Sequence, residues 1–570
     1  MKWTTEQRRA IEAEGNLLVS AAAGSGKTAV LTERIAALVA DGCPLNRFLV
    51  VTFTRAAAAE MKKRIASRLA QLAQETVDDE DAARLRAAAA GVGQTSISTI
   101  DAFCAHVLRR HFHAAGLDPA FRAADEAQAE VLRQEVWDEL LEEGYAEGNL
   151  QGLVAAFGSE EALLDSAARL YDFLCAQPDM ASWLEQAVAA YDVDEAGLAA
   201  SPQMAAFLTA ARRGVAARID ALSSLREDIA EEFPGAARVL DEELTQLRAL
   251  LLPHTYPGFA AQLQSIKFGR LVWPRGTEDG VKEPVKAARE AVKKEVARLL
   301  SAFALPLSEQ AARLVAIKPQ MEALRDLMLA FHSRYAQRKQ EGGLVDYADM
   351  EHMALTLLQK PAIAAEYRGR FQHVFVDEYQ DINPVQECIL RAVSGPDNIF
   401  LVGDVKQSIY GFRMAEPGLF LEKYSRFGRG QNGARIDLSS NFRSGNGIIE
   451  AVNGLFSQVM RAEAGGVEYD AAAALRQGRA GLTGEVELHI LRQQALLTED
   501  EEGAEEDALE LLQAAEAEAR LAARRIRELV GGDGPGGRKL RYRDMVILHS
   551  APKRIAELWV PVSIVYVYTL

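Results

Sequence analysis

The segment Ala21-Ala22-Ala23-Gly24-Ser25-Gly26-Lys27-Thr28 constrains this chain's fold more than any other. An apolar run ending at Ser20 precedes it and a helical pattern over Ala29–Leu38 follows. Strand, glycine-bearing turn and helix thus stand in the order that turns successive backbone amides toward a phosphate. The complement, the acidic turn Asp377-Glu378-Tyr379-Gln380-Asp381, comes roughly 350 residues later, behind the β-rich run Val374–Val376. Both segments must reach one nucleotide, so most of the chain between them is an insertion carried by a nucleotide-binding core.

The side chains in these segments have chemical assignments. Small residues at Ala21, Ala22, Ala23, Gly24, Ser25 and Gly26 let the backbone close on phosphates, with Lys27 as a point charge for the β and γ groups. The Thr28 hydroxyl and Asp377 are hard oxygen donors suited to Mg2+, and Glu378 can polarise an attacking water as a general base. The loop opens on Ala21 where the generic pattern has Gly, a change that a small side chain makes tolerable. Ahead of the first strand, Gln7 carries an amide that can both donate to and accept from adenine, which points to ATP.

Apolar β-rich runs at Asn16–Ser20, Phe48–Thr54, Ser96–Ile100, His373–Val376, Ile399–Val402 and Ile436–Ser439 are separated by helical patterns, as in a parallel sheet built from crossover units. The predicted class is α/β. From about Pro119 to Gly343 the β-branched runs give way to Ala, Leu, Glu and Arg-rich stretches such as Glu126–Glu143 and Val285–Phe303, which read as a helical insertion. That insertion contains a basic stretch, Lys267–Arg298, with nine Lys or Arg against five Asp or Glu and with Phe268 and Trp273. A duplex or partner contact and an ordinary amphipathic helix with a loop are both open readings of it.

With 570 residues, 49% of them hydrophobic, the chain can bury several cores, and ~150 residues per domain gives three or four domains. Cys43, Cys104, Cys175 and Cys388 are scattered without metal-ligand spacing, which excludes a disulfide framework and a zinc site and suits a reducing compartment. The first residues lack a signal-peptide core and no run approaches ~18 apolar residues, so a cytoplasmic protein with no membrane segment is expected. The net charge of -17 argues against a chain coated by nucleic acid, yet a strand gripped in an internal channel needs only local positive charge.

In order along the chain stand Gln7, Gly24–Thr28, Val51–Met61 (VTFTRAAAAEM), Asp377–Asp381, Val402–Arg413 (VGDVKQSIYGFR) and Leu438–Ser444 (LSSNFRS). This series resembles the UvrD/PcrA/Rep type of superfamily 1 DNA helicases. The resemblance implies a RecA-like P-loop motor that moves 3' to 5' on single-stranded DNA, driven by ATP with Mg2+. It implies that Gln407 senses the γ-phosphate and that Arg443 is an arginine finger. It also implies DNA contacts from Thr52, Phe53, Thr54, Arg55, Tyr410, Phe412 and Arg413; aromatic faces suit a sequence-blind translocase because every base has a π-face. Phe442 stands where Tyr is more usual. Lys62, Lys63 and Arg64 lie where relatives follow the DNA backbone, and a solvated helix face is the competing reading.

Within this family the chain is similar to the AddA branch, found in bacterial AddAB helicase-nucleases. The similarity rests on Ser98–Cys104 (STIDAFC), Gly116–Phe121 (GLDPAF) and Val345–Met350 (VDYADM), with Asp101 where relatives commonly carry His. It implies double-strand break repair, action on single-stranded DNA and duplex ends, and an AddB-like partner. It divides the chain into a first motor domain at 1–118 and 344–432, an accessory insertion at 119–343, and a partial second motor domain at 433–570 with strand-like segments Val486–Leu491 and Met545–His549. An acidic stretch, Glu499–Asp507, reads as a solvated linker before a helix over Leu509–Val530. The later helicase motifs and a nuclease domain do not follow, and the chain closes on an uncharged β-rich run, Leu558–Leu570. The expectation is the front part of a longer protein, ended by a truncation or frameshift. A general UvrD-type repair helicase, and an ATP- and DNA-binding module with little turnover, are the rival readings.

Overall fold

The computed structural model describes residues 3–118, 120–148, 150–461, 467–471, 473–491, 504–532, 534 and 538–548. The closing run Leu558–Leu570, His549 and the first half of the acidic stretch lie outside the described residues.

Among the described residues the strands, in chain order, are β1 Leu17–Ala21, β2 Phe48–Thr52, β3 Ser96–Thr99, β4 Arg122–Ala123, β5 Leu344–Val345, β6 His373–Val376, β7 Ile399–Gly403, β8 Ala434–Leu438, β9 Ser440–Asn441 and β10 Arg476–Gln477. Six of them form one sheet in the order β3-β2-β6-β7-β1-β8, with every pairing parallel. Each apolar run singled out in the sequence is a strand of this sheet. Period-2 alternation sends successive side chains to opposite faces. Leu18, Leu49, Val51, Val374, Val376 and Leu401 pack into one core, and Leu17, Val19, Phe48, Val50, Phe375 and Phe400 into the other. Burial on both faces is why these strands are continuous Val, Leu, Ile and Phe runs rather than half-polar ones.

Because all six strands are parallel, their carboxyl ends share one edge, the edge at which open α/β sheets bind ligands. The glycine turn after β1, the run after β2, the acidic turn after β6 and the segment after β7 therefore converge, although they are hundreds of residues apart.

The insertion leaves and rejoins the motor through a narrow neck, where β4 pairs with β5 in parallel. Its helices hold two further cores of their own, one around Leu222, Leu240, Phe259 and Leu299 and one around Val136, Leu174, Phe331 and Tyr335. The chain returns along the helix Leu307–Glu341, 35 residues long. Near its end Lys339, with a nearly inaccessible side chain, pairs at 2.7 Å with both Asp346 and Asp349 and lies 3.9 Å from the Tyr335 ring centre. Two polar contacts seat the insertion on the motor: His352 Nε2 donates to the Cys175 carbonyl at 2.8 Å, and Val385 N donates to the Ala176 carbonyl at 3.2 Å.

The basic stretch of the insertion is occupied internally. Arg289 is buried against Glu243, and Lys282, Lys286, Lys293 and Arg298 each pair with an acid three residues earlier. Phe268 lies under Arg289 and Lys293, while Trp273 packs edge-on against Phe233 at 5.5 Å. These contacts favour the helix-and-loop reading over an exposed nucleic-acid surface.

The boundary expected near Gly433 is corrected by the sheet. Residues Ala434–Leu438, assigned from sequence to the opening of a second motor domain, are β8, paired in parallel along the whole of β1. A compact unit runs from Met1 to Gly484 and a second from Glu485 to Leu570. Within the described part of the second unit, neither Val486–Leu491 nor the segment after Met545 is a strand. The helix there spans Ala504–Leu529, so it starts inside the stretch expected to be linker. All four cysteines are free thiols. No helix among the described residues is long and apolar enough to cross a membrane.

Candidate functional site

The glycine turn owes its shape to two left-handed residues, Gly24 at φ 69° and Gly26 at φ 85°. A side chain is disfavoured at that backbone angle. At Gly24 there is also no room, since a Cβ would sit 2.8 Å from Asn441 Oδ1 and 2.9 Å from Arg443 Cβ. Ala21 has no such demand, because it is the last residue of β1, extended and buried. The departure from the generic pattern therefore costs nothing in backbone strain. The helix Lys27–Ala40 begins at Gly26 with no side-chain cap on its first amides, which leaves the amino end suited to an anion.

Gln7 is buried, and both ends of its amide are engaged with the protein: Oε1 accepts from Thr4 N at 3.0 Å and Nε2 donates to the Ser25 carbonyl at 2.9 Å. In this arrangement Gln7 braces the glycine turn, a role its residue type alone did not suggest.

Asp377 follows β6 and is tied to β2 by its N–H on the Val51 carbonyl at 2.9 Å. Glu378 then takes a left-handed backbone, φ 51° and ψ 45°, a conformation that a non-glycine residue keeps only when its surroundings enforce it. Its Oε2 accepts from Lys27 Nζ at 3.1 Å and from Gln380 Nε2 at 2.9 Å. Lys27 and Glu378 are thus partners here, although the sequence suggested separate targets for them. Burial pushes Asp377 up to about 6, with Glu378 adding to the rise and Lys27 opposing it. Asp381 is likewise held at about 6, chiefly by burial and then by Glu378.

Among the described residues there is no group of three or more His, Cys, Asp or Glu side chains that could hold a metal alone. The donors present, Thr28 and Asp377, fit Mg2+, which keeps several waters and is normally held by one or two carboxylates together with substrate phosphates. Ser25 Oγ and Asp381 Oδ1 are buried polar atoms without a protein partner at this same edge, as expected where a hydrated polar ligand belongs.

Gln407 lies in a short turn after β7 with its Nε2 on Asp404 Oδ2 at 2.7 Å. Arg443 is in a turn that packs on the glycine loop. There Phe442 N donates to the Gly24 carbonyl at 2.9 Å, and Asn441 Oδ1 accepts from Arg443 N and Ser444 N, both at 2.8 Å.

The residues expected at DNA fall into two groups. Phe53, Tyr410, Phe412 and Arg413 cluster, with ring centres 4.5 Å apart for Phe53 and Tyr410 and 5.6 Å for Tyr410 and Phe412, and with Arg413 5.3 Å over Phe53. Phe412 is 75% exposed. Thr52 and Thr54 instead use their hydroxyls locally: Thr52 is buried with Oγ1 on the Thr54 carbonyl, and Thr54 caps the helix Arg55–Glu75 by accepting from Ala57 N at 3.0 Å. Arg64 pairs with Glu60.

One cavity of about 350 Å³ joins the two chemistries. Asp377, Glu378 and Asp381 line one wall, and Phe53, Arg55, Asp101 and Arg413 the other. Asp101 meets Glu351, whose carboxyl is pushed up to about 7 by burial and by that neighbour, against the donors Gln386 and Asn383. Nothing in the sequence pointed to Glu351 or to the part played by Gln380; an amide set between two acids in a buried turn was the available clue to the latter.

Fold and site define a P-loop nucleotide-binding protein whose acidic turn borders an aromatic and basic edge. The chain belongs to the UvrD/REP helicase family: the model of the UvrD/REP helicase N-terminal domain matches residues 3–428. It is 37% identical over 589 residues to the ATP-dependent helicase/nuclease AddA of Alkaliphilus oremlandii (strain OhILAs), covering 99% of this chain and 48% of that protein. It is 38% identical over 614 residues to the protein of the same name in Geobacillus kaustophilus (strain HTA426), covering 98% of this chain and 48% of that protein. The chain thus spans about half the length of these curated relatives.

Proposed function

We propose that this chain carries the ATP-hydrolysing motor of an AddA-like, 3'-to-5' DNA helicase that acts on single-stranded DNA and duplex ends in double-strand break repair, beside an AddB-like partner. The observation that carries the reading is the shared cavity, in which a conformational change at the acidic turn has only a few ångströms of packed side chains to cross to reach Phe53, Arg55 and Arg413.

In this reading the backbone amides of the turn at Gly24–Thr28 hold the phosphates of ATP, and Lys27 leaves Glu378 to neutralise the β and γ groups. That exchange frees the Glu378 carboxylate to take a proton from the attacking water. Mg2+, held between Thr28 and Asp377, would polarise the phosphoryl oxygens. Gln407 would read the γ-phosphate, and Arg443 would offset charge on the departing phosphate. Phe412, Tyr410 and Phe53 would stack on bases, with Arg55 and Arg413 on phosphates, so that binding is sequence-blind and falls with salt.

ATP hydrolysis with and without single-stranded DNA tests this directly. Turnover should rise with DNA and vanish in Lys27→Ala, while Glu378→Gln keeps ATP binding but loses turnover. Wild-type hydrolysis in Lys27→Ala would remove the site assignment, and a chain that binds ATP and DNA without turnover would be a binding module.

A further inference from the structure

Gln380 occupies the centre of the acidic turn and is 2% exposed. Its Nε2 donates to Glu378 Oε2 at 2.9 Å and to Asp381 Oδ2 at 3.0 Å, while its Oε1 accepts from Asp404 N at 2.9 Å. Its own carbonyl accepts from Ser408 Oγ at 3.2 Å. Only an amide can serve here, because the site asks one side chain to donate to carboxylates that follow β6 and to accept from a backbone N–H beyond β7. The fit is close: a Cβ on Gly403 would run into Gln380 Oε1 and lie 3.2 Å from Gln380 N. Gly403 has an ordinary strand backbone, so its lack of a side chain serves this approach rather than any turn.

This geometry has two consequences. Glu378 sits in a left-handed backbone and its carboxylate is held by Lys27 and Gln380; when Lys27 turns to phosphate, Gln380 is the side chain that continues to aim it. The same amide reaches Asp404, whose Oδ2 receives Gln407 Nε2 at 2.7 Å. Glu378, Gln380, Asp404 and Gln407 therefore form one continuous hydrogen-bonded chain across the ends of two neighbouring strands.

We propose that Gln380 is a positioning residue that holds Glu378 in line for the attacking water and links it, through Asp404, to the γ-phosphate-facing Gln407, with Gly403 making room for it. The inference rests on the ATPase reading above and adds a residue that touches neither nucleotide nor water.

The experiment measures DNA-stimulated ATP hydrolysis by the full 570-residue chain, with kcat and the KM for ATP determined separately. Gln380→Met removes both donor and acceptor at similar volume, while Gly403→Ala leaves the amide intact and displaces it, which also covers the case of a Gln380 variant that does not fold. Each should lower kcat by about tenfold to a hundredfold, the scale of a misplaced catalytic group, with KM within about threefold. Added to Glu378→Gln, Gln380→Met should cost less than about twofold more, because a positioning residue has nothing left to position. A full further drop on that background, or a kcat within about twofold of wild type in both single variants, overturns the proposal. Hydrolysis by the unaltered chain no faster than that of Lys27→Ala would instead defeat the ATPase reading and this inference with it.

Discussion

The buried Asp101 and Glu351 pair makes the stability of this chain depend on pH in a direction that can be worked out. Glu351 is 6% exposed, accepts from Gln386 Nε2 at 2.7 Å, and has its carboxyl raised from the ordinary 4.5 to about 7, first by burial and further by Asp101. The native state thus holds a proton that the unfolded chain releases between about 4.5 and 7. The stabilisation from this group is complete below pH 4.5 and is lost as pH rises through 7, the reverse of an ion-paired carboxylate. At roughly 1.4 kcal/mol per tenfold change in proton affinity the full swing is about 3 kcal/mol, of which about 2 kcal/mol or more falls between pH 5 and 8. Glu351→Gln keeps an acceptor for Gln386 and a donor for Asp101, and it removes the titration. Urea unfolding of wild type and variant across this range isolates the group, because contributions from Asp377 and Asp381 cancel in the difference. The variant should gain on wild type by that amount as pH rises, and Asp101→Asn should shrink the gain by removing the like charge. A flat difference curve, or one that slopes the other way, would refute the buried proton.

The nucleotide loop and the aromatic edge each offer a further test. Gly24→Ala should lose at least about 1 kcal/mol from the left-handed backbone alone and should push Asn441 and Arg443 off the loop, so titration with a fluorescent ATP analogue should show much weaker binding; unchanged affinity would show that the loop is not the phosphate cradle. Phe412→Ala, at a side chain 75% exposed, should weaken single-stranded DNA binding by about 1–3 kcal/mol with no shift in melting temperature. Equal affinities by fluorescence anisotropy would place the strand elsewhere.

Much of the architecture was legible because it depends on local pattern. The runs at Phe48, His373 and Ile399 are apolar on both faces and β-branched, which marks buried parallel strands before any pairing is known. The change in character after Pro119 announced a helical insertion, and the neck formed by β4 and β5 falls within a few residues of the limits 119 and 343. The site was legible where one residue type performs one task, as with Lys27 and Asp377. It was hidden where a side chain's role depends on its neighbour. The amide of Gln7 suits adenine by residue type and instead braces Ser25, while Thr52 and Thr54, expected at DNA, spend their hydroxyls on their own turn. Residues 434–438 look the same in sequence whether they open a new sheet or extend an old one, and only the pairing with β1 separates the two cases.

By itself the sequence determined that this is a parallel α/β nucleotide-binding protein interrupted by helices, because side-chain periodicity and glycine placement act over a few residues and survive any arrangement of the whole. The tertiary structure decided which strand ends lie side by side. The order β3-β2-β6-β7-β1-β8 brings Lys27 against Glu378, Gln380 against Asp404 and Asn441 against Gly24. Those partnerships across hundreds of residues depend on strand order, and strand order is set by packing of the whole sheet rather than by any local signal.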